Sequence, residues 1–179
     1  MRQFILLFTL SCFLGCGGPR GGWDDPRVIL ISIDGFRGDI LNSESFSKDL
    51  PNLARLSEMG ELCPNVQTVF PSLTYPAHTS MITGVLPDKH GIVNNRPYSP
   101  EKNFVDWYWY ADSIKVPTLI TKSHEKGLVT LGVSWPVTVG AEMDWMVPEM
   151  KSVNDTISTI NLVRKHDRPE TFLESAKVR

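Results

Sequence analysis

The chain has 179 residues, enough to bury one core of its own. Hydrophobic residues make up 41% of it and charged residues 21%, a globular balance that excludes a disordered chain. The formal net charge is -2 and no basic block occurs, so a nucleic-acid polymer is not the expected partner.

Met1-Arg2-Gln3 and the apolar run from Phe4 to Leu14 read as an export signal, with a basic start and a greasy centre too short to span a bilayer. Phe13-Leu14-Gly15-Cys16 resembles a bacterial lipobox, with Phe13 in place of the usual leucine. On that reading residues 1–16 are the signal and Cys16 is the lipidated first residue of the mature protein. The product is then exported to the periplasm or cell surface and held to the membrane by its lipid. Plain cleavage and an uncleaved anchor are the rival readings. Residues 17–26, with Gly17, Gly18, Gly21 and Gly22 around Pro19, form a flexible tether. With Cys16 acylated and the signal removed, Cys63 is the remaining thiol and no intrachain disulfide is expected.

Arg27-Val-Ile-Leu-Ile-Ser-Ile33 is a continuous apolar, β-rich run, the pattern of a strand buried on both faces of a parallel sheet. It ends at Asp34-Gly35. A carboxylate at the carboxyl end of such a strand is a candidate metal ligand, because ligands of open α/β sheets bind there. The plainer reading is a turn aspartate before glycine. Residues 51–59 read as a helix, with Pro51 at its start, Leu53 and Leu56 on one side and Gly60 as its stop. Residues 62–70 read as a short strand. Strand, helix, strand in that order favours a right-handed parallel unit, which would bring Asp34 and Thr74 to one sheet edge.

The stretch from Pro71 to Asn95 places the Thr74 hydroxyl just ahead of a short helix. Pro76 fits the first turn, where its missing N–H has no partner to lose. Met81 and Ile82 supply an apolar face, and Gly84 suits a left-handed stop. A helix start attracts anions such as phosphate, so a threonine there can be a nucleophile. On spacing alone an N-cap is the first reading of Thr74. His78, one turn on, reads as a packing residue, and His90 precedes Gly91 in a loop. Asn94 and Asn95, after the next short apolar pair, read by themselves as turn residues.

Asp106-Trp107-Tyr108-Trp109-Tyr110 either roofs a pocket or clamps the core, and the clamp is the expected role. Residues 117–126 read as a helix with Leu119 and Ile120 inward and Gly127 as its stop. Residues 128–133 read as a core strand leading to Trp135-Pro136. Asn154 or Asp155 is expected to cap a last helix through Ile157, Ile160, Leu162 and Val163.

Three stretches in order carry a family resemblance: Ile-Ser-Ile-Asp-Gly-Phe-Arg, Leu-Thr-Tyr-Pro-Ala-His-Thr-Ser-Met-Ile-Thr-Gly and His-Gly-Ile-Val-Asn-Asn. From Val28 to its end the chain resembles the type I phosphodiesterase/nucleotide pyrophosphatase family of the alkaline phosphatase superfamily. The resemblance implies an α/β fold with a mostly parallel sheet flanked by helices, of which residues 27–179 are the N-terminal part, incomplete at the C-terminus. It implies metal-dependent hydrolysis of phosphodiester or pyrophosphate bonds in a small phosphate ester, through a phosphothreonine. Two divalent ions, Zn2+, are the implied cofactors. Thr74 is then nucleophile and metal ligand, Asp34 a ligand of the same ion, Asn95 a phosphate contact, and Tyr75 an aromatic that could stack on a base.

The family's later Asp-x-x-x-His, Asp-His and final histidine motifs have no match before Arg179, so the chain alone is expected to lack turnover. Leu73 and Ala77 stand where nucleotide pyrophosphatases like the animal enzymes carry Lys and Asn, which leaves a generic phosphodiester or phosphonate open as substrate. A sulfatase would need Cys or Ser at position 74 and Arg at 78. A phosphomonoesterase of the same superfamily and a non-catalytic, anion-binding surface lipoprotein are the remaining alternatives.

Overall fold

Residues 27–102, 106–152 and 158–169 are described by the structure, a computed structural model. The expected export signal, Cys16, the expected tether and the expected caps Asn154 and Asp155 lie outside them. One structural unit ends at Gly35 and the other begins at Phe36.

In the first unit, residues 27–33 form no strand. Val28 is 96% exposed and Ile31 76%. This differs from the buried strand expected of the run, because a strand is completed by a neighbour that takes up its N–H and C=O groups, not by its own side chains. Asp34 and Gly35 occupy a turn, where Gly35 at φ +69° takes the left-handed backbone that glycine tolerates.

The second unit opens with a 3-10 turn, Gly38–Asn42, and two helices, α1 (Phe46–Asp49) and α2 (Pro51–Met59). Pro51 starts α2 and Gly60 leaves it in extended backbone, as the sequence predicts. Its inward face differs: Ala54 is buried, whereas Leu56 is exposed. Residues 62–70 are irregular, with Val66 and Phe70 exposed, so the second expected strand is also not formed.

Helix α3 (Thr74–Thr83) is the element around which the unit packs. Tyr75, His78, Thr79 and Ile82 are buried, a spacing of three to four residues that lays one stripe of the helix on the core. Met81, expected with Ile82 on that stripe, is half exposed because neighbouring residues project about 100° apart and the stripe follows Ile82. Gly84 at φ +70° closes α3 and accepts the left-handed stop. A short helix, α4 (Pro87–His90), follows and ends at Gly91, φ +86°.

Beyond it lie a 3-10 turn at Ala111–Ser113 and α5 (Leu119–Glu125), started by a capping box in which Thr118 and Thr121 satisfy each other's backbone N–H groups. Ile120 is half-buried but Leu119 is exposed. The expected strand at 128–133 shortens to β1 (Leu131–Val133), which pairs in parallel with β2 (Trp145–Val147), Gly132 opposite Met146. Asp144 ties the pair together: the Thr130 N–H and hydroxyl donate to its Oδ2 at 2.8 and 3.0 Å. A final helix, α6 (Thr159–His166), has Ser158 at its N-cap position.

The core gathers Tyr75 from α3, Ile92 from the loop after α4, Trp109, Val137, Val139 and Met150, with Trp107, Tyr108, Leu162 and Val163 packed against it. Burying each large apolar side chain contributes about 1.5–3 kcal/mol. The aromatic run 107–109 is therefore chiefly a clamp on the core, its rings engaging Tyr75 at 5.2 Å from Trp107 and 6.1 Å from Trp109.

Candidate functional site

The start of α3 and the loop that follows α4 make the candidate site. Leu73 takes the N-cap position in extended backbone, and Thr74 is the first helical residue. The threonine is thus not a cap, and no side-chain cap bond is made at this end. A helix start normally exposes N–H groups in its first turn. Here Pro76 has none, and the Tyr75 N–H donates to Asn95 Oδ1 at 3.0 Å.

That bond orients Asn95. A backbone N–H can only donate, so the amide oxygen must face Tyr75, and the Nδ2 donor pair faces elsewhere. One backbone donor at the helix start is exchanged for two side-chain donors on a half-buried residue. The loop is held in place by further bonds: Tyr108 N–H donates to the Asn95 carbonyl at 3.1 Å, and Asn95 N–H to Asn94 Oδ1 at 2.7 Å. The helix dipole adds partial positive charge at the same end.

Tyr75 does not offer its ring. The expected stacking platform is fully buried, so what Tyr75 presents at the site is its backbone N–H. Burial pushes its phenol pKa up, and the Glu149 carboxylate acts in the same direction. The neighbouring Trp107 ring is half-buried, with the Arg96 guanidinium and the Lys151 ammonium each 5.2 Å from its centroid. Sequence reasoning missed this cationic pair, because 96, 107 and 151 share no local pattern.

His78 packs as expected. It is 7% exposed, its Nδ1–H donates to the Thr74 carbonyl at 2.7 Å, and its ring meets Trp135 edge to face at 5.2 Å. Trp135 therefore packs on α3 through the His78 ring. His90 is fully buried and bonds Ser80 and Ile92 through its two nitrogens.

Asp34 is exposed and belongs to the unit ending at Gly35, whereas Thr74 and Asn95 belong to the unit beginning at Phe36. Among the described residues no three His, Cys, Asp or Glu side chains gather as a metal-binding group. Nor is any described helix long and apolar enough to cross a membrane. A cavity of about 270 Å³ lined by Ile82, Ile114, Val116 and Thr138 includes neither Thr74 nor Asn95.

Comparison with known proteins bears on this arrangement. Residues 28–176 match the model of the family described as Type I phosphodiesterase / nucleotide pyrophosphatase. Over 145 residues the chain is 30% identical to bis(5'-adenosyl)-triphosphatase ENPP4 of Bos taurus, covering 77% of this chain and 31% of that protein. Over 82 residues it is 37% identical to ectonucleotide pyrophosphatase/phosphodiesterase family member 1 of Homo sapiens, covering 46% of this chain and 9% of the relative. The chain thus spans about a third of the length of the ENPP4 relatives it matches. Murine ectonucleotide pyrophosphatase/phosphodiesterase 5, solved as an inactive variant in complex with AMP, is 22% identical with a TM-score of 0.50, over 75% of this chain and 36% of that one. That likeness shows the fold, an alkaline phosphatase-like α/β arrangement. With the family model covering most of its length, the chain belongs to the type I phosphodiesterase/nucleotide pyrophosphatase family.

Proposed function

We propose that this chain carries the nucleophile-bearing part of a hydrolase that cleaves phosphodiester or pyrophosphate bonds in a small phosphate ester. The observation that carries the reading is the Tyr75–Asn95 bond, which spends the Asn95 oxygen and leaves its Nδ2 donors beside the helix start that bears Thr74. The Thr74 oxygen attacks phosphorus as its proton departs. An O–P bond forms, the bond to the leaving oxygen breaks, and that oxygen takes up a proton. Water then attacks the phosphothreonine, releasing the phosphate product and restoring the hydroxyl. Asn95 donates to a non-bridging oxygen as negative charge accumulates there. In murine ENPP5 the form solved with AMP is an inactive threonine-to-alanine variant, which supports a threonine as the reacting group.

Two divalent ions, zinc by the resemblance, are the cofactors proposed for the whole protein. Asp34 and Thr74 offer two oxygen donors, and a zinc site takes three or four protein ligands. The described residues do not complete such a site, so no step here runs through one. Residues 1–16 are proposed as an export signal with Cys16 lipidated, residues 17–26 as the tether and residues 27–179 as part of the catalytic domain. Export to the periplasm or cell surface, with a membrane anchor and no nucleic-acid polymer as partner, follows from that reading. The names of the relatives, ectonucleotide pyrophosphatases, support an exported protein.

The test is hydrolysis of a nitrophenyl phosphodiester with added zinc, by this chain and by a version extended to carry the later Asp and His motifs. The short chain is expected to give no significant turnover, and the extended one to be active and to lose activity in Thr74→Ala. Robust turnover by the short chain, or an extended enzyme indifferent to Thr74→Ala, overturns the reading. Phosphate binding without tight zinc binding or turnover in the extended form points to a non-catalytic anion-binding protein.

A further inference from the structure

We propose that His90 is a positioning residue: its neutral ring, protonated on Nε2, ties the loop that carries Asn95 to helix α3 and so sets the Asn95 amide against the helix start. The proposal rests on the reading of Asn95 as an anion donor only for its functional consequence.

Both ring nitrogens are engaged, in directions that leave one tautomer. The Ile92 N–H donates to Nδ1 at 3.1 Å, inside the core. A backbone N–H cannot accept, so Nδ1 must carry its lone pair and the proton sits on Nε2. Nε2 is 2.9 Å from Ser80 Oγ and donates to it. The ring therefore joins the middle of α3 to a backbone amide three residues before Asn95. The bond to Ile92 is buried, so water does not replace it, and the bond to Ser80 is partly buried.

The same loop returns to α3 at a second point, where Asn95 Oδ1 accepts from the Tyr75 N–H at 3.0 Å. Ser80 and Tyr75 lie on one helix five residues apart, so the two ties define both the position and the tilt of the segment between His90 and Asn95. Side bonds support the clamp from outside: Lys115 N–H donates to the His90 carbonyl at 3.1 Å, and Gly91 N–H to the Pro87 carbonyl at 2.9 Å. Gly91 sits at φ +86° where a Cβ would meet the Lys115 side chain at 2.9 Å, so the chain turns tightly between the ring and Ile92. Removing the ring frees the loop at one of its two ties and lets the Asn95 amide drift from the helix start.

The test uses the whole 179-residue chain and two readouts that do not need turnover. Long-range nitrogen–proton NMR of the wild-type ring is expected to show a neutral imidazole with its proton on Nε2. Amide hydrogen exchange is expected to show Tyr75 and Ile92 protected in the wild type. In His90→Ala both lose about tenfold or more protection, the size of change that goes with one lost buried hydrogen bond, while the Ala54 amide in α2 keeps its own. His90→Asn, whose side-chain oxygen can stand where Nδ1 stands but which supplies no donor to Ser80, restores protection at Ile92 and leaves Tyr75 as unprotected as in His90→Ala. A proton on Nδ1, unchanged Tyr75 protection in His90→Ala, or an equal loss at every amide without rescue of Ile92 by His90→Asn overturns the proposal. Should His90→Ala not fold, the wild-type tautomer and the Tyr75 protection in Ser80→Ala decide. If Tyr75 responds as expected while Asn95→Ala leaves inorganic phosphate binding unchanged, the clamp stands and the reading of Asn95 as an anion donor falls.

Discussion

In Asn95→Ala the Tyr75 N–H loses the oxygen that accepts its bond at 3.0 Å. Tyr75 is fully buried, and a sheltered donor left without a partner costs about 1–3 kcal/mol. With a urea m-value of about 2 kcal/mol/M, the unfolding midpoint falls by roughly 0.5–1.5 M. Asn95→Asp is different in kind. Its carboxylate still accepts from Tyr75, and a negative charge at the start of α3 adds about 0.3–1 kcal/mol of favourable dipole interaction. It has no Nδ2 donors, however, and sets a like charge where an anion would bind. Urea unfolding and titration with inorganic phosphate, run on both variants, separate the two roles of one carboxamide. The alanine variant is expected to lose stability. The aspartate variant is expected to keep or gain it while losing about tenfold or more in phosphate affinity, the worth of a hydrogen bond to a charged group. An aspartate variant as unstable as the alanine one would show that Oδ1 does not hold Tyr75. One that binds phosphate as well as wild type would show that the Asn95 donors do not face the anion.

Trp109 is 3% exposed at the centre of the core, so Trp109→Ala should cost about 3–5 kcal/mol, a large share of the stability of a single domain, and thermal unfolding measures it. Gly84→Ala should cost about 1–2 kcal/mol in the same assay, from the left-handed backbone at φ +70° alone, because an added Cβ meets nothing within 4 Å. The Thr130 N–H and then its hydroxyl, bonded to Asp144, hold that carboxyl below its usual pKa of 3.8. A depressed folded pKa means stability that is present above the unfolded value and lost as pH falls through the folded one. The stability gap between wild type and Asp144→Asn should therefore be open at neutral pH and close in strong acid, and a gap independent of pH would refute that.

The longer helices were legible from their end signals. Pro51 and Gly60 bracket α2, Gly84 stops α3, and Gly127 follows α5, because a helix closes its hydrogen bonds within four residues and its end signals sit in the same stretch; the four-residue helices α1 and α4 and the Thr118 cap were not read. Which side of each helix faces inward was less so: Leu56, Met81 and Leu119 are apolar yet exposed, since a short helix with apolar residues on several sides leaves the choice to its neighbours. Strands were legible only where a partner exists. Residues 27–33 and 62–70 have the composition and no strand, and β2, which nothing in its own residues announced, forms because β1 and Asp144 lie beside it.

The sequence by itself determined the family, through three motifs in order, and with it the residues worth examining: Asp34, Thr74, Tyr75 and Asn95. Tertiary structure alone decided what those residues do locally. It placed Thr74 inside the helix and not at its cap, sank the Tyr75 ring into the core, and turned the Asn95 oxygen onto a backbone amide 20 residues away. It also wired His90 between Ser80 and Ile92. Bonds between side chains and distant backbone leave no periodic trace in a chain, because what selects them is the exclusion of water from a packed core, and the fold is what creates that exclusion.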